Sequence, residues 1–134
     1  MANAWYRKGA EKVLKAQINF DTDLLRVRLV KDTYAQNLAT DEFVSLVPAV
    51  TGSADQTLLN TTVAEGIFDA DDATFTAVPV GEVSEGVVIY KDTGDSATSP
   101  VLMYIDTITG FPLATNGGNI VIQWDSGAYK IVSL

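Results

Sequence analysis

The sequence predicts a mainly β fold, a β-sandwich or partly closed barrel, with a short N-terminal helix and one further short helix. Three observations carry this. The segment LRVRLV alternates apolar and basic residues, the pattern of a half-buried strand. Two uninterrupted apolar runs, VVIY and VLMYI, flank a polar loop and read as strands covered on both faces. Glycine, proline and Asn/Asp signals punctuate the chain between these segments. Together they give roughly six to eight strands. A chain of 134 residues favours one domain, here 1–134, with 1–16 as an N-terminal helical arm. Its core must hold without staples, because cysteine is absent.

In chain order, Asn3 is a suitable N-cap and Ala4 to Lys15 follow at helical spacing. Trp5, Gly9 and Val13 lie beside Tyr6, Ala10 and Leu14, while Arg7, Lys8, Glu11, Lys12 and Lys15 fall mainly on the other side. So short a helix needs its apolar stripe buried, on its own sheet or on a partner. Gly9 weakens the helix but lets another backbone come close. The stripe is too narrow, and the rest of the chain too acidic, for a membrane-surface helix.

Ile18 and Phe20 alternate with polar residues before a turn at Asp21-Thr22-Asp23. Leu25, Val27 and Leu29 then point one way and Arg26 and Arg28 the other, giving a strand with an exposed basic face. Thr40-Asp41-Glu42 opens the second helix, through about Leu46, with acids in its first turn and Pro48 closing it. Residues 49–62 read as a loop or irregular edge, with a weakly patterned strand between Leu58 and Ile67. An acidic turn separates Phe68 from Phe75, and Val83 to Tyr90 resumes as a strand.

The loop from Asp92 to Pro100 is longer than an ordinary hairpin connection. It reads as a solvent-exposed tip or as a binding loop on a rigid sheet. Asn116-Gly117-Gly118 is a β-turn, since the Lys-Ser/Thr and helix start of a phosphate loop do not follow it. Ile120, Ile122 and Trp124 form a further strand. Ser126-Gly127 turns the chain, and Tyr129 to Leu134 make a last strand tied into the sheet.

Chemistry is scarce along this chain. Histidine and cysteine are absent, which excludes Ser–His and Cys–His nucleophile pairs and the usual zinc ligands. The segment MANAWYRKGAEKVL has no apolar stretch of signal-peptide type, and no run is long enough to cross a bilayer. Asp69, Asp71 and Asp72 begin like a calcium loop, but the third ligand, the glycine and the distal Glu are missing, so a self-bonded turn is favoured. Glu82 and Glu85 make a carboxylate pair of the kind glycoside hydrolysis uses, though such pairs arise by accident in an acidic β protein. Tyr90, Tyr104, Trp124 and Tyr129 suit an aromatic platform for a sugar or a partner, or the core.

Charge is the more informative property. The net charge is −8, unevenly placed: residues 1–31 hold seven bases against three acids, and residues 32–134 two lysines against fourteen acids. Overall acidity argues against nucleic acid. A basic N-terminal segment can dock on an acidic neighbour, or both charges can be accommodated within one monomer.

At MANAWYRKGAEKVLKAQINFDTDLLRVRLV the chain resembles a group of small virion proteins of tailed bacteriophages. The match continues through GIFDADDATFTAV, VVIYKDTGDSATSPVLMYIDT and NGGNIVIQWDSGAYKIVSL, nearly the whole chain. The shared features are scaffold features: the short helix, the LRVRLV strand, the Asp-rich turn, the YKDTG hairpin and the terminal strand pair. The resemblance implies a non-enzymatic structural protein without cofactor. It would be a capsid decoration or cement protein on the virion exterior, assembled in the host cytoplasm. Its partners would be the major capsid protein and further copies of itself, as a dimer or trimer. Under that reading Trp5, Arg7, Lys8, Lys12, Arg26 and Arg28 are the candidate partner contacts. Two alternatives stand beside it: a tail or adsorption-apparatus subunit, and a calcium- or carbohydrate-binding β module using Asp69–Asp72 or the aromatics.

Overall fold

The computed structural model describes residues 4–108, 110–124 and 131–133. Its strands are β1 (Ala4–Trp5), β2 (Leu25–Lys31), β3 (Gln56–Thr57), β4 (Thr62–Ala64), β5 (Ile67–Asp69), β6 (Ala73–Phe75), β7 (Val83–Lys91), β8 (Val101–Ile105), β9 (Leu113–Ala114), β10 (Ile120–Ile122) and β11 (Val132–Ser133). Helix α1 (Arg7–Leu14) follows β1, and a single 3-10 turn (Val44–Leu46) lies between β2 and β3. Among the described residues no helix is long and apolar enough to cross a membrane.

The largest sheet has the order β1-β8-β7-β2-β3, with β9 beside the start of β7. β4, β5 and β11 form a second sheet and β6 and β10 a third. The predicted mainly β, sandwich-like fold is what forms. Leu25, Val27 and Leu29 of β2, Val87 and Ile89 of β7 and Leu102 of β8 share one core with Phe68, Phe75, Ile120 and Ile122 of the smaller sheets. The opposite face of the large sheet is covered too: Val30, Val88, Tyr90, Val101 and Tyr104 pack with Tyr6, Tyr34, Val44 and Val47. Burial on both sides accounts for the continuous apolar runs of β7 and β8.

Several boundaries differ from the sequence reading, each for a local reason. The helix starts at Arg7, not Ala4. Ala4 and Trp5 instead pair with Tyr104 and Met103, and the Tyr6 N–H donates to the Leu102 carbonyl at 2.9 Å. The edge of β8 presents unpaired backbone groups, and these residues satisfy them. Ala4 and Trp5 are therefore built into the sheet, with α1 packed on β8 behind them; residues 1–3, Asn3 among them, lie outside the described residues. At its other end α1 closes with Gln17 N–H on the Lys12 carbonyl and Ala16 N–H on that of Val13, with Ala16 at φ +59°.

The second helix is reduced to the 3-10 turn. Thr40 and Asp41 N–H groups bond the Asn37 carbonyl, Phe43 is extended and bridges Pro100, and Val44 N–H donates to Ser99 O at 2.9 Å. These contacts to the β7–β8 connection replace the helical bonds that residues 41–46 would make. The weak strand between Leu58 and Ile67 resolves into β4 and the start of β5, joined by Glu65-Gly66 with both φ angles positive, +53° and +75°. That is a type I′ geometry, whose twist suits a two-residue hairpin. Of the predicted last strand, β11 pairs with β5. Tyr129, Lys130, Leu134 and the Ser126-Gly127 turn lie outside the described residues.

Candidate docking site

Helix α1 lies against β8 because Gly9 allows it. A Cβ there would overlap the carbonyl oxygen of Val101. With Gly9 against the strand, Val13 one turn on reaches the hollow beside the β4–β5 hairpin. Trp5, Ala10, Val13 and Leu14 line an open apolar groove of about 270 Å³. It adjoins a hollow of about 100 Å³ walled by Val63 and Ile67 and floored by Phe20 and Phe68, with Trp5 and Val13 common to both. Trp5 meets Phe20 edge-on at 5.8 Å between ring centroids, and Phe20 meets Phe68 likewise at 4.9 Å. The floor is thus pinned to the core, while Leu14 is 88% exposed and Val63 47%. An apolar surface on a pinned floor is suited to contact with another apolar surface.

The basic segment is largely used within the chain. Lys12 pairs with Glu42 at 2.7 Å, Arg26 with Asp92 at 2.6 Å, Lys31 with Glu82 at 3.0 Å and Lys15 with Glu11 at 2.9 Å. Arg28 binds Asp55 and donates from Nη1 to the carbonyls of Val44 and Val47 at 3.1 and 2.9 Å. The basic face expected on β2 is therefore not free. The second layer covers that side, and a guanidinium beneath it needs partners. Among the described residues, Arg7 and Lys8 are the bases that make no close ion pair, although Lys8 is near enough to Glu11 to help lower its pKa after Lys15. Of the six candidate contacts, then, Trp5, Arg7 and Lys8 remain at the α1 end, while Lys12, Arg26 and Arg28 hold the fold.

The acidic groups singled out for chemistry are engaged in turns and ties. Asp71 Oδ2 accepts from the Asn60 amide at 2.5 Å, and the Asp71 carbonyl accepts from Trp124 Nε1 at 2.9 Å. Asp72 Oδ1 accepts from Trp124 N–H at 3.1 Å, and Asp69 sits on β5 opposite Thr62. The Asp-rich turn thus anchors the end of β10, and no described group of three or more acids is arranged to hold a metal ion. Glu82 accepts from Thr51 N–H at 2.6 Å and from the Thr51 hydroxyl at 2.9 Å. The Thr51 N–H, with Lys31 next, holds its carboxyl below the usual range. Glu85 behaves oppositely. Burial raises its pKa, with nearby Asp32 and Asp106 adding to the rise and the Tyr104 hydroxyl opposing it. The two carboxylates have different partners and opposite shifts, which marks separate structural settings.

Tyr90 and Tyr104 are core residues, the former donating to Asp55 at 2.5 Å. Trp124 packs at the edge of the other core, and Tyr129 is outside the described residues, so the described aromatics do not form one platform. The 92–100 connection is closed on itself. Asp92 Oδ1 accepts from Gly94 N–H at 2.8 Å, Asp95 Oδ1 from Ala97 N–H at 2.9 Å, and Ser99 Oγ donates to the Asp95 carbonyl at 2.8 Å. Ser45 N–H reaches the Ser96 carbonyl at 3.1 Å, tying the loop to the 3-10 turn. At 116–118 the expected turn forms, with Gly117 at φ +85° and Gly118 N–H on Asn116 Oδ1 at 2.9 Å.

The groove's far wall was missed in the sequence. Glu-Gly is a weaker type I′ signal than Asn-Gly or Asp-Gly, and Val63 stands in no apolar run. Comparison with protein-family models and with curated proteins finds no match.

Proposed function

We propose that the chain is a non-enzymatic structural protein of a tailed-phage virion, a decoration or cement protein of the outer capsid that works by adhesion. The observation that carries this reading is the groove between α1 and the β4–β5 hairpin. It is an apolar surface on a rigid floor, beside the helix end where Arg7 makes no described ion pair. The acids and bases elsewhere that suggested chemistry are spent on holding turns and layers together. The resemblance to small virion proteins supplies the setting. Weak contacts repeated over a capsid lattice sum to high avidity, and a protein that binds only the assembled shell stabilises it by mass action.

The test is to add the purified chain to heads that lack it. Saturable binding with a raised temperature of genome release is expected. Absence of binding to heads, with binding to tails instead, would move the protein to the tail. Binding to neither would remove the virion reading.

A further inference from the structure

We infer that the α1 groove is filled by the same groove of a second copy, making a two-fold dimer. The inference rests on the adhesive reading of this groove but not on the capsid as its setting.

The rims of the groove carry opposite charge. Arg7 lies on the α1 side, one helical turn from Ala10 and two from Leu14. Glu65 forms the exposed tip of the β4–β5 hairpin, between the lining residues Val63 and Gly66. No described ion pair engages Arg7 or Glu65. Within one molecule the two rims stand on opposite sides of the apolar floor. A two-fold axis running along the groove lays the helix of one copy over the hairpin of the other. That single operation sets Arg7 opposite Glu65 twice and brings the two Leu14 side chains onto facing apolar floors. An axis across the groove would set like charges together, so the charge pattern selects one arrangement. Closed two-fold contacts of this self-complementary kind are the commonest route to a homo-oligomer. On a shell, the two halves would rest on different subunits and bridge them.

The test is the mass of the purified full chain in solution by light scattering across concentration, at low and high salt. The wild type is expected to be a dimer that weakens with salt. Leu14→Asp is expected to leave a monomer with unchanged melting, since Leu14 is exposed in the single chain. Arg7→Glu and Glu65→Arg each act twice across the axis and are expected to weaken association about tenfold, with the double reversal regaining it. A wild type that stays monomeric overturns the inference, as does a Leu14→Asp protein that dimerises normally or a double reversal that regains nothing. A monomer that still decorates heads removes the dimer and leaves the proposed function. A dimer that follows these substitutions but never joins particles supports the dimer and removes the proposed function.

Discussion

Arg28 grips Asp55 with two nitrogens. Its Nε donates to both carboxylate oxygens at 3.1 Å and its Nη2 to Oδ2 at 3.0 Å. The same guanidinium bonds the Val44 and Val47 carbonyls, and Tyr90 closes the cluster through Asp55. One side chain on β2 therefore fixes the 3-10 turn and the approach to β3. Removing it strands a carboxylate and two carbonyls with little water access. Arg28→Ala is expected to destabilise by about 2–4 kcal/mol in urea unfolding. Arg28→Lys should recover little, because an ammonium lacks the planar fork. Arg7→Ala, at an uncommitted base, should change stability by less than about 0.5 kcal/mol.

Two substitutions, one in the first helix and one just past its end, should run against helix propensity. Gly9→Ala replaces a poor helix former with the best one, yet its Cβ meets the Val101 carbonyl, part of a buried strand that cannot give. A loss of about 1–3 kcal/mol is expected. Ala16→Gly replaces an alanine held at φ +59° just past the helix end. Relief of the left-handed strain should stabilise by about 0.5–1 kcal/mol. Thermal melts of the two variants would show opposite shifts.

The buried phenols predict an order of effects. Tyr34 donates to Asp41 Oδ2 at 2.7 Å, so the 2.7 Å bond between the Tyr6 and Tyr34 hydroxyls must use the Tyr6 proton. Tyr34→Phe leaves the fully buried Tyr6 hydroxyl without its acceptor and should cost about 1–3 kcal/mol. Tyr6→Phe leaves Tyr34 still bonded to Asp41 and should cost about 0.5–1.5 kcal/mol. The reverse order in denaturant melts would contradict this assignment of donors.

Glu85 sets a pH dependence whose sign can be worked out. Its folded-state pKa is raised, chiefly by burial, so between the unfolded and folded values the native state holds the extra proton. Stability contributed by this group is greatest once it is protonated and falls as pH rises through that window. Glu85→Gln should therefore be more stable than wild type at neutral pH, with the gap closing as pH drops below about 4. Asp92 runs the other way. The Gly94 N–H, and then Arg26, lower its pKa. Its contribution is present above the unfolded value and is lost on acidification. Comparing the stability–pH curves of Glu85→Gln and Asp92→Asn separates the two.

How much of this was legible depended on the distance over which each signal acts. β2, β7 and β8 could be read because alternation and continuous apolarity are properties of the strand itself. Gly9 could be read as a point of close approach because a glycine inside an amphipathic helix needs a reason. The second helix failed because bonds from Phe43 and Val44 to residues 99–100 outweigh a local preference. The free basic face of β2 failed for the same kind of reason. Arg26 finds Asp92 sixty-six positions away, and only topology brings them together. The groove joins Trp5 and Leu14 to a hairpin near residue 65, so its two walls carry no joint mark in the sequence.

The most direct test of the proposed adhesive virion account is to quantify the chain in purified particles of any phage whose genome encodes it, with heads and tails separated. The account predicts a fixed, many-copy stoichiometry on the heads. Particles free of the chain, or carrying it only on tails, would contradict it.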